Sequence, residues 1–185
     1  MTFAKRIAVL DANVLYPAPV RDLLLSFADA KFFQPKWTKK IQQEWTKNLL
    51  ANRPDLTERA IERTVKAMNV AFPDAEVSRY TGIIDDLILP DPDDRHVLAA
   101  AIKAEATHIV TTNIKDFPRK QIAEYGIQVD HPDDFVKDLI GLDYATSLLV
   151  FDTMISRLRH PPISRKDVLT MLERCGLPVT VKLLA

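Results

Sequence analysis

Three carboxylates crowd the segment Asp91-Pro92-Asp93-Asp94-Arg95-His96-Val97-Leu98, at the start of an alanine-rich stretch that reads as a helix. Two further acidic residues lie at or near the ends of apolar runs. Asp11 stands in Val9-Leu10-Asp11-Ala12-Asn13, and Asp116 in Val110-Thr111-Thr112-Asn113-Ile114-Lys115-Asp116-Phe117. Acidic groups gathered at one end of a sheet favour a hard divalent cation with oxygen ligands. Such a cation lowers the pKa of a bound water and offsets charge on a phosphate, which suits phosphodiester hydrolysis.

Each of these residues also has a local structural use. Asp91 suits an N-cap, Pro92 the first helical position and Asp94 the third, and acidic side chains complement the helix dipole. Capping accounts for one or two of the three carboxylates, so Asp91 and Asp93 stand beside Asp94 as alternatives. Asp11 follows four apolar residues, where an ionised carboxylate is costly unless something pairs with it; its alternative is a cap or turn before Asn13. Glu44 falls in mid-helix beside Trp45, at the edge of a buried face, with Lys40 one turn away as an ordinary surface partner. Asn113 and Asp116 fit an Asx turn after a strand.

Other chemistries lack their residues. Cys175 is the only cysteine, which excludes an internal disulfide and a cysteine metal cage. His96, His108, His131 and His160 show no zinc spacing; His96 lies near the acidic cluster and reads first as a structural histidine. With only 4 glycines there is no phosphate-cradling loop, and no Gly-x-Ser-x-Gly elbow is present.

The elements that must position the acidic residues alternate. Ile7–Leu10 reads as a buried parallel strand, Val20–Ala30 as a helix, and residues 32–35 as a short strand. Thr38 caps a helix from Lys39 to Ala51 with Ile41, Trp45 and Leu49 on one face. Asp55 with Glu58 resembles a capping box for a helix reaching Phe72. Residues 79–89 fit helix or strand equally. A helix over 92–104, a strand over 107–111, a short helix over 118–125, a strand over 127–129 and a helix over 133–140 follow. Alternating strands and helices argue an α/β fold with a parallel central sheet flanked by helices, with sites outside the carboxyl ends of the strands.

Beyond residue 140 the pattern is helical only, which divides the chain into a domain over 1–140 and an annex over 141–185. Leu148, Phe151, Ile155 and Leu158 form the apolar face of a helix over 144–159. Ser164 with Asp167 starts another helix, and Gly176 stops it. That apolar face needs a cover, and Arg157, Arg159, Arg165 and Lys166 form a basic patch around Pro161-Pro162. The expectation is that the annex docks on the first domain and extends a nucleic-acid surface.

The 185 residues carry 25 basic and 25 acidic side chains, so no global positive field advertises nucleic acid. The charge is uneven, however. Residues 31–53 hold Lys31, Lys36, Lys39, Lys40, Lys47 and Arg53 against Glu44 alone, while residues 74–94 hold Asp74, Glu76, Asp85, Asp86, Asp91, Asp93 and Asp94 against Arg79 alone. Nothing resembles a signal peptide or a membrane span, and a cytoplasmic location is expected.

Taken in order, Leu-Asp11-Ala-Asn13, Glu44-Trp-Thr-Lys-Asn-Leu, Asp91-Pro-Asp-Asp-Arg-His-Val-Leu-Ala-Ala-Ala and Val-Thr-Thr-Asn113-Ile-Lys-Asp116-Phe resemble a PIN-domain nuclease over residues 5–137. The flavour is similar to VapC-type toxins, some of which carry a helical extension. The resemblance implies a site of Asp11, Glu44, Asp94 and Asp116 with Asn13 and Asn113 as polar support. It implies RNA cleavage, often of structured RNA such as transfer RNA, with magnesium or manganese. From their positions around the Glu44 helix and in the annex, Lys36, Lys39, Lys40, Arg53, Arg157 and Arg159 are the expected contacts to the RNA. A cognate antitoxin protein follows from the same resemblance, and self-association is compatible with it. The rival readings are a phosphatase of haloacid dehalogenase type, which would want a second Asp where Asn13 stands, and a catalytically idle PIN-like RNA-binding module.

Overall fold

A computed structural model describes residues 6–159 and 161–185; His160 lies outside them. Strand β1 (Ile7–Leu10) is apolar at every position and buried at every position. It sits between β2 (Gln34–Lys36) and β3 (His108–Val110), and β4 (Gln128–Asp130) completes a parallel sheet of order β2-β1-β3-β4. In register, Leu10 lies opposite Val110 and Ile109 opposite Val129. Only an interior strand shielded on both faces is apolar throughout, so the composition of β1 and its central place agree.

The chain leaves β1 into a single helical turn, α1 (Ala12–Leu15), then α2 (Ala18–Asp29), with Leu23, Leu24 and Phe27 buried. The turn α1 was not anticipated; it forms because the Asp11 side chain caps it by accepting from the Ala12 N–H. The second strand begins two residues later than expected. Lys31 takes a left-handed φ of 68°, and Phe32 and Phe33 turn into the core before the chain extends. Phe27 and Phe32 meet edge to face with ring centres 5.1 Å apart.

Helix α3 (Lys39–Asn52) is capped by Thr38, whose hydroxyl accepts from the Ile41 N–H, and it buries Ile41 and Trp45. Thr57, not Asp55, caps α4 (Glu58–Ala71). Asp55 is instead held by the Arg53 guanidinium in a paired contact at 2.6 and 2.8 Å. The ambiguous stretch resolves into a 3-10 helix over Thr81–Asp86. After it Leu87 and Leu89 are buried while Ile88 faces out. Pro92–Asp94 form a 3-10 turn that runs into α5 (Arg95–Lys103), which packs on β1 and β3. Helix α6 (Arg119–Ala123) links β3 to β4, with Gly126 at φ 69° closing the turn.

The remaining helices are α7 (Pro132–Leu142), α8 (Tyr144–Arg157), α9 (Arg165–Arg174) and α10 (Pro178–Leu184). Ser164 caps α9, as expected, and Gly176 ends it at φ 85°. Helix α8 stops at Arg157, two residues short of expectation, and its most buried side chains are Ser147, Phe151 and Met154. Leu148, Ile155 and Leu158 flank that stripe half-buried. The cover for α8 is α2, and α10 lies against α7 and α9. Asp133 fixes this arrangement: its two carboxylate oxygens accept from the Val179 N–H at 3.0 Å and the Thr180 N–H at 2.8 Å. Arg165 adds a second tie, reaching Asp152 and the Leu184 carbonyl while its guanidinium lies over the Phe151 ring. No helix of the described residues is long and apolar enough to cross a membrane.

Candidate active site

The register of the sheet sets the first part of the site. Because Leu10 pairs with Val110, the next residues, Asp11 and Thr111, leave the carboxyl edge side by side. Asp11 is 5% exposed. One of its oxygens accepts from the Ala12 N–H at 2.7 Å. The other accepts from Asn13 Nδ2 at 2.6 Å and from the Thr111 hydroxyl at 2.7 Å. Asn13 in turn accepts the Thr112 N–H at 2.9 Å, and the Thr111 hydroxyl accepts the Asn113 N–H at 3.1 Å. Asp11 is therefore both a helix cap and the centre of a polar network. Burial pushes its carboxyl up from the usual range, the hydrogen bonds from Thr111 and Ala12 pull it back, and the charge of Glu44 adds to the rise.

Helix α3 delivers Glu44. Its Oε1 lies 3.1 Å from His96 Nε2 and 3.8 Å from Lys40 Nζ. The intrahelical pair with Lys40 does form, and the buried His96 is a second, closer partner. The sequence placed His96 near the acidic cluster without giving it this partner, and it did not single out Thr111. Thr111 carries a visible signal, as the first polar residue after an apolar strand run, but its neighbour Asp11 is known only once the strands are in register.

The start of α5 sorts the crowded carboxylates. Asp91 is exposed and its side chain accepts from the Asp93 N–H at 2.9 Å, the capping role expected of it. Asp93 is exposed. Asp94 occupies the cap position of α5, yet its side chain makes no capping bond. Its Oδ2 is buried without a hydrogen-bond partner. Burial, and then the charges of Asp11, Asp91 and Asp116, raise its carboxyl to about 6, with His96 opposing. Asp116, at the end of a 3-10 turn over Ile114–Asp116, is half-buried, and Asn113 before it is exposed. Charge coupling thus links Asp11 to Glu44, Asp94 to Asp11, and Asp94 to Asp116. Among the described residues, no group of three or more histidine, cysteine, aspartate or glutamate side chains is already arranged to hold a metal ion.

The basic side chains are more occupied than composition suggested. The basic and acidic stretches run side by side: Trp37 and Glu76 form a parallel bridge, Lys36 donates to the Asp74 carbonyl, and Lys39 stands 3.9 Å from Glu76. Arg53 is paired with Asp55, and Arg157 lies 3.6 Å from Asp29 on α2. Arg159 is exposed, with its Nε donating to the Ser156 carbonyl. Lys40 is the expected contact that lies beside the carboxylates, through Glu44. A groove of about 340 Å³ between α2, α4 and α8 is lined by Arg21, Leu25, Met68, Phe72 and Met154 among others and includes none of the four carboxylates.

Comparison with known proteins places the chain in a family. Residues 7–115 match the PIN domain family, and residues 132–185 match the VapC50 C-terminal domain family. A protein of Mycobacterium tuberculosis (strain ATCC 25618 / H37Rv) described as "Putative ribonuclease VapC50" is 40% identical over 79 residues. That alignment covers 43% of this chain and 47% of the relative, so the chain spans about half the length of the curated relative it matches. No solved structure matches the chain significantly. The phosphatase reading gives way: Asn13 donates to Asp11 and has no carboxyl to act as acid or base. With a PIN match over most of the first 115 residues and a VapC50-type match over the last 54, the chain belongs to the PIN-domain family and carries a VapC50-type helical extension.

Proposed function

We propose that this chain is a divalent-metal-dependent endoribonuclease acting as the toxin of a type II toxin–antitoxin pair. The observation that carries the reading is Asp94: a carboxyl pushed up to about 6, with a buried oxygen that has no partner, beside Asp11 and Asp116. A buried polar atom without a partner costs about 1–3 kcal/mol, more if charged, and a cation is one way to recover it. The donor set fits a hard ion, since Asp11, Glu44, Asp94 and Asp116 offer only oxygen ligands. These four residues would hold magnesium or manganese, which supplies a water of lowered pKa and offsets charge on the scissile phosphate.

The chain's own residues do the rest. Thr111, Asn13 and the Ala12 N–H fix both oxygens of Asp11 in place before any substrate arrives. Asp94, whose carboxyl is raised by burial and by the neighbouring carboxylates, would be held ionised by a bound cation. Lys40 stands close enough to the carboxylates to meet an RNA phosphate once Glu44 is otherwise engaged. The similarity to a protein described as a ribonuclease supports RNA as the substrate. Structured RNA such as transfer RNA, a cognate antitoxin as inhibitor, self-association and a cytoplasmic setting belong to the same proposal.

The test is cleavage of labelled RNA by the purified chain with magnesium or manganese, with chelator, and by Asp11→Asn. Metal-dependent cleavage that Asp11→Asn loses while its melting curve stays cooperative supports the proposal. Cleavage undiminished by chelator, or full activity in Asp11→Asn, overturns it. RNA binding without cleavage by the wild type identifies the chain as an idle PIN-like module.

A further inference from the structure

His96 is 3% exposed; the sequence placed it near the acidic cluster and read it first as a structural histidine. Its Nε2 lies 3.1 Å from Glu44 Oε1. A carboxylate only accepts, so the imidazole donates there, which fixes a hydrogen on Nε2. The other ring nitrogen, Nδ1, is buried with no hydrogen-bond partner. A buried polar atom without a partner is costly, and an apolar side chain of similar size avoids that cost. The compensation seen in the structure is the bond to Glu44. Glu44 itself is on α3 with its side chain 35% exposed, and its other partner, Lys40, is one turn back on the same helix. A pair of that kind is weak and screened by salt. His96 sits on α5, two residues after Asp94, so its bond ties the helix that carries Glu44 to the helix that carries Asp94.

We propose that His96 is a positioning residue: its buried Nε2–H holds the Glu44 carboxylate toward the cluster of Asp11, Asp94 and Asp116, in place of the exposed Lys40. The role rests on the metal-dependent reading above. It is the familiar arrangement in which groups behind a metal site orient the carboxylates that bind the ion.

The experiment is a calorimetric titration of manganese into the full-length chain, as wild type, His96→Leu, His96→Gln, His96→Asn, Glu44→Gln and the double variant His96→Leu with Glu44→Gln, with a thermal melt of each. Loss of an orienting partner of this kind weakens metal affinity by about 10–100-fold. His96→Leu is expected to show that loss with a melting temperature equal to or above wild type. His96→Gln, whose amide reaches the Nε2 position, is expected to recover much of it, and His96→Asn, which is shorter, is not. In the Glu44→Gln background His96→Leu is expected to add nothing. Wild-type affinity in His96→Leu overturns the role, as does an equal loss in the Glu44→Gln background. If His96→Leu fails to fold, the Gln and Asn variants decide, and equal affinities in the two overturn the role. A wild type that neither binds manganese nor cleaves RNA overturns the metal-dependent function and this role with it, whereas a wild type that binds and cleaves beside an unchanged His96→Leu overturns this role alone.

Discussion

The hydroxyl of Thr111 donates to Asp11 at 2.7 Å, a bond between residues one hundred positions apart that locks the carboxyl edge of β1 to that of β3. Thr111 is fully buried there. Replacing it with valine keeps the shape and removes the donor. Thr111→Val is expected to lose about 1.5–3 kcal/mol of stability, the worth of a hydrogen bond to a charged group. RNA cleavage is expected to fall about 10–100-fold, as for other groups that orient a metal ligand. Thr111→Ser, which retains the hydroxyl, is expected to lie between Thr111→Val and wild type in chemical denaturation and in cleavage rate.

Asp94 makes a prediction about pH. Its carboxyl is raised to about 6 in the folded chain, against about 3.9 for an unperturbed Asp. Between those values the folded state binds more protons than the unfolded state, so this group's contribution favours folding below that window and is lost as pH rises through about 6. His108, lowered by burial, works in the opposite direction as pH falls through its range. The informative quantity is therefore the difference between wild type and Asp94→Asn. In metal-free buffer, Asp94→Asn is expected to melt at or above the wild-type temperature at pH 7, with the gap shrinking toward pH 4. A variant that melts lower at both pH values would show that Asp94 is a stabilising group.

Asp133 tests how the extension is held. Its carboxylate accepts two backbone N–H groups at the start of α10, from Val179 and Thr180. Asp133→Ala is expected to cost about 1.5–3 kcal/mol, measured by denaturant titration, because bonds to a charged acceptor are lost and two amides are left to find water. Truncation after Gly141 removes both partners and uncovers α7, so it is expected to lower the melting temperature by more than Asp133→Ala does.

Lys40 tests the basic surface. If it meets one RNA phosphate, Lys40→Gln is expected to weaken RNA binding and to flatten the slope of log affinity against log salt by about 0.7–0.9. Arg53→Gln, whose native guanidinium is already bound by Asp55, is expected to change that slope less. Fluorescence anisotropy over a salt series compares the two.

Much of the architecture was legible because its causes are local. A four-residue apolar run declared β1, Thr38 declared the start of α3, and Ser164 with Asp167 and Gly176 bounded α9. Asp11, Asp94 and Asp116 drew notice by type and by their positions after strands or at a helix start, whereas Glu44, in mid-helix, read by itself as a surface partner of Lys40. What the sequence left open was settled by contacts between distant segments. Asp91 and Asp94 look interchangeable in one dimension, and only folding shows Asp91 spent on a turn and Asp94 half-buried among like charges. Lys36 and Lys39 read as free cations until the chain lays the 74–76 segment beside them. The bonds from Thr111 to Asp11 and from His96 to Glu44 join segments with no local reason to meet. Periodicity and capping act over a few residues and can be read directly, whereas register, burial and charge pairing depend on which distant segments become neighbours, and only the tertiary structure decided that.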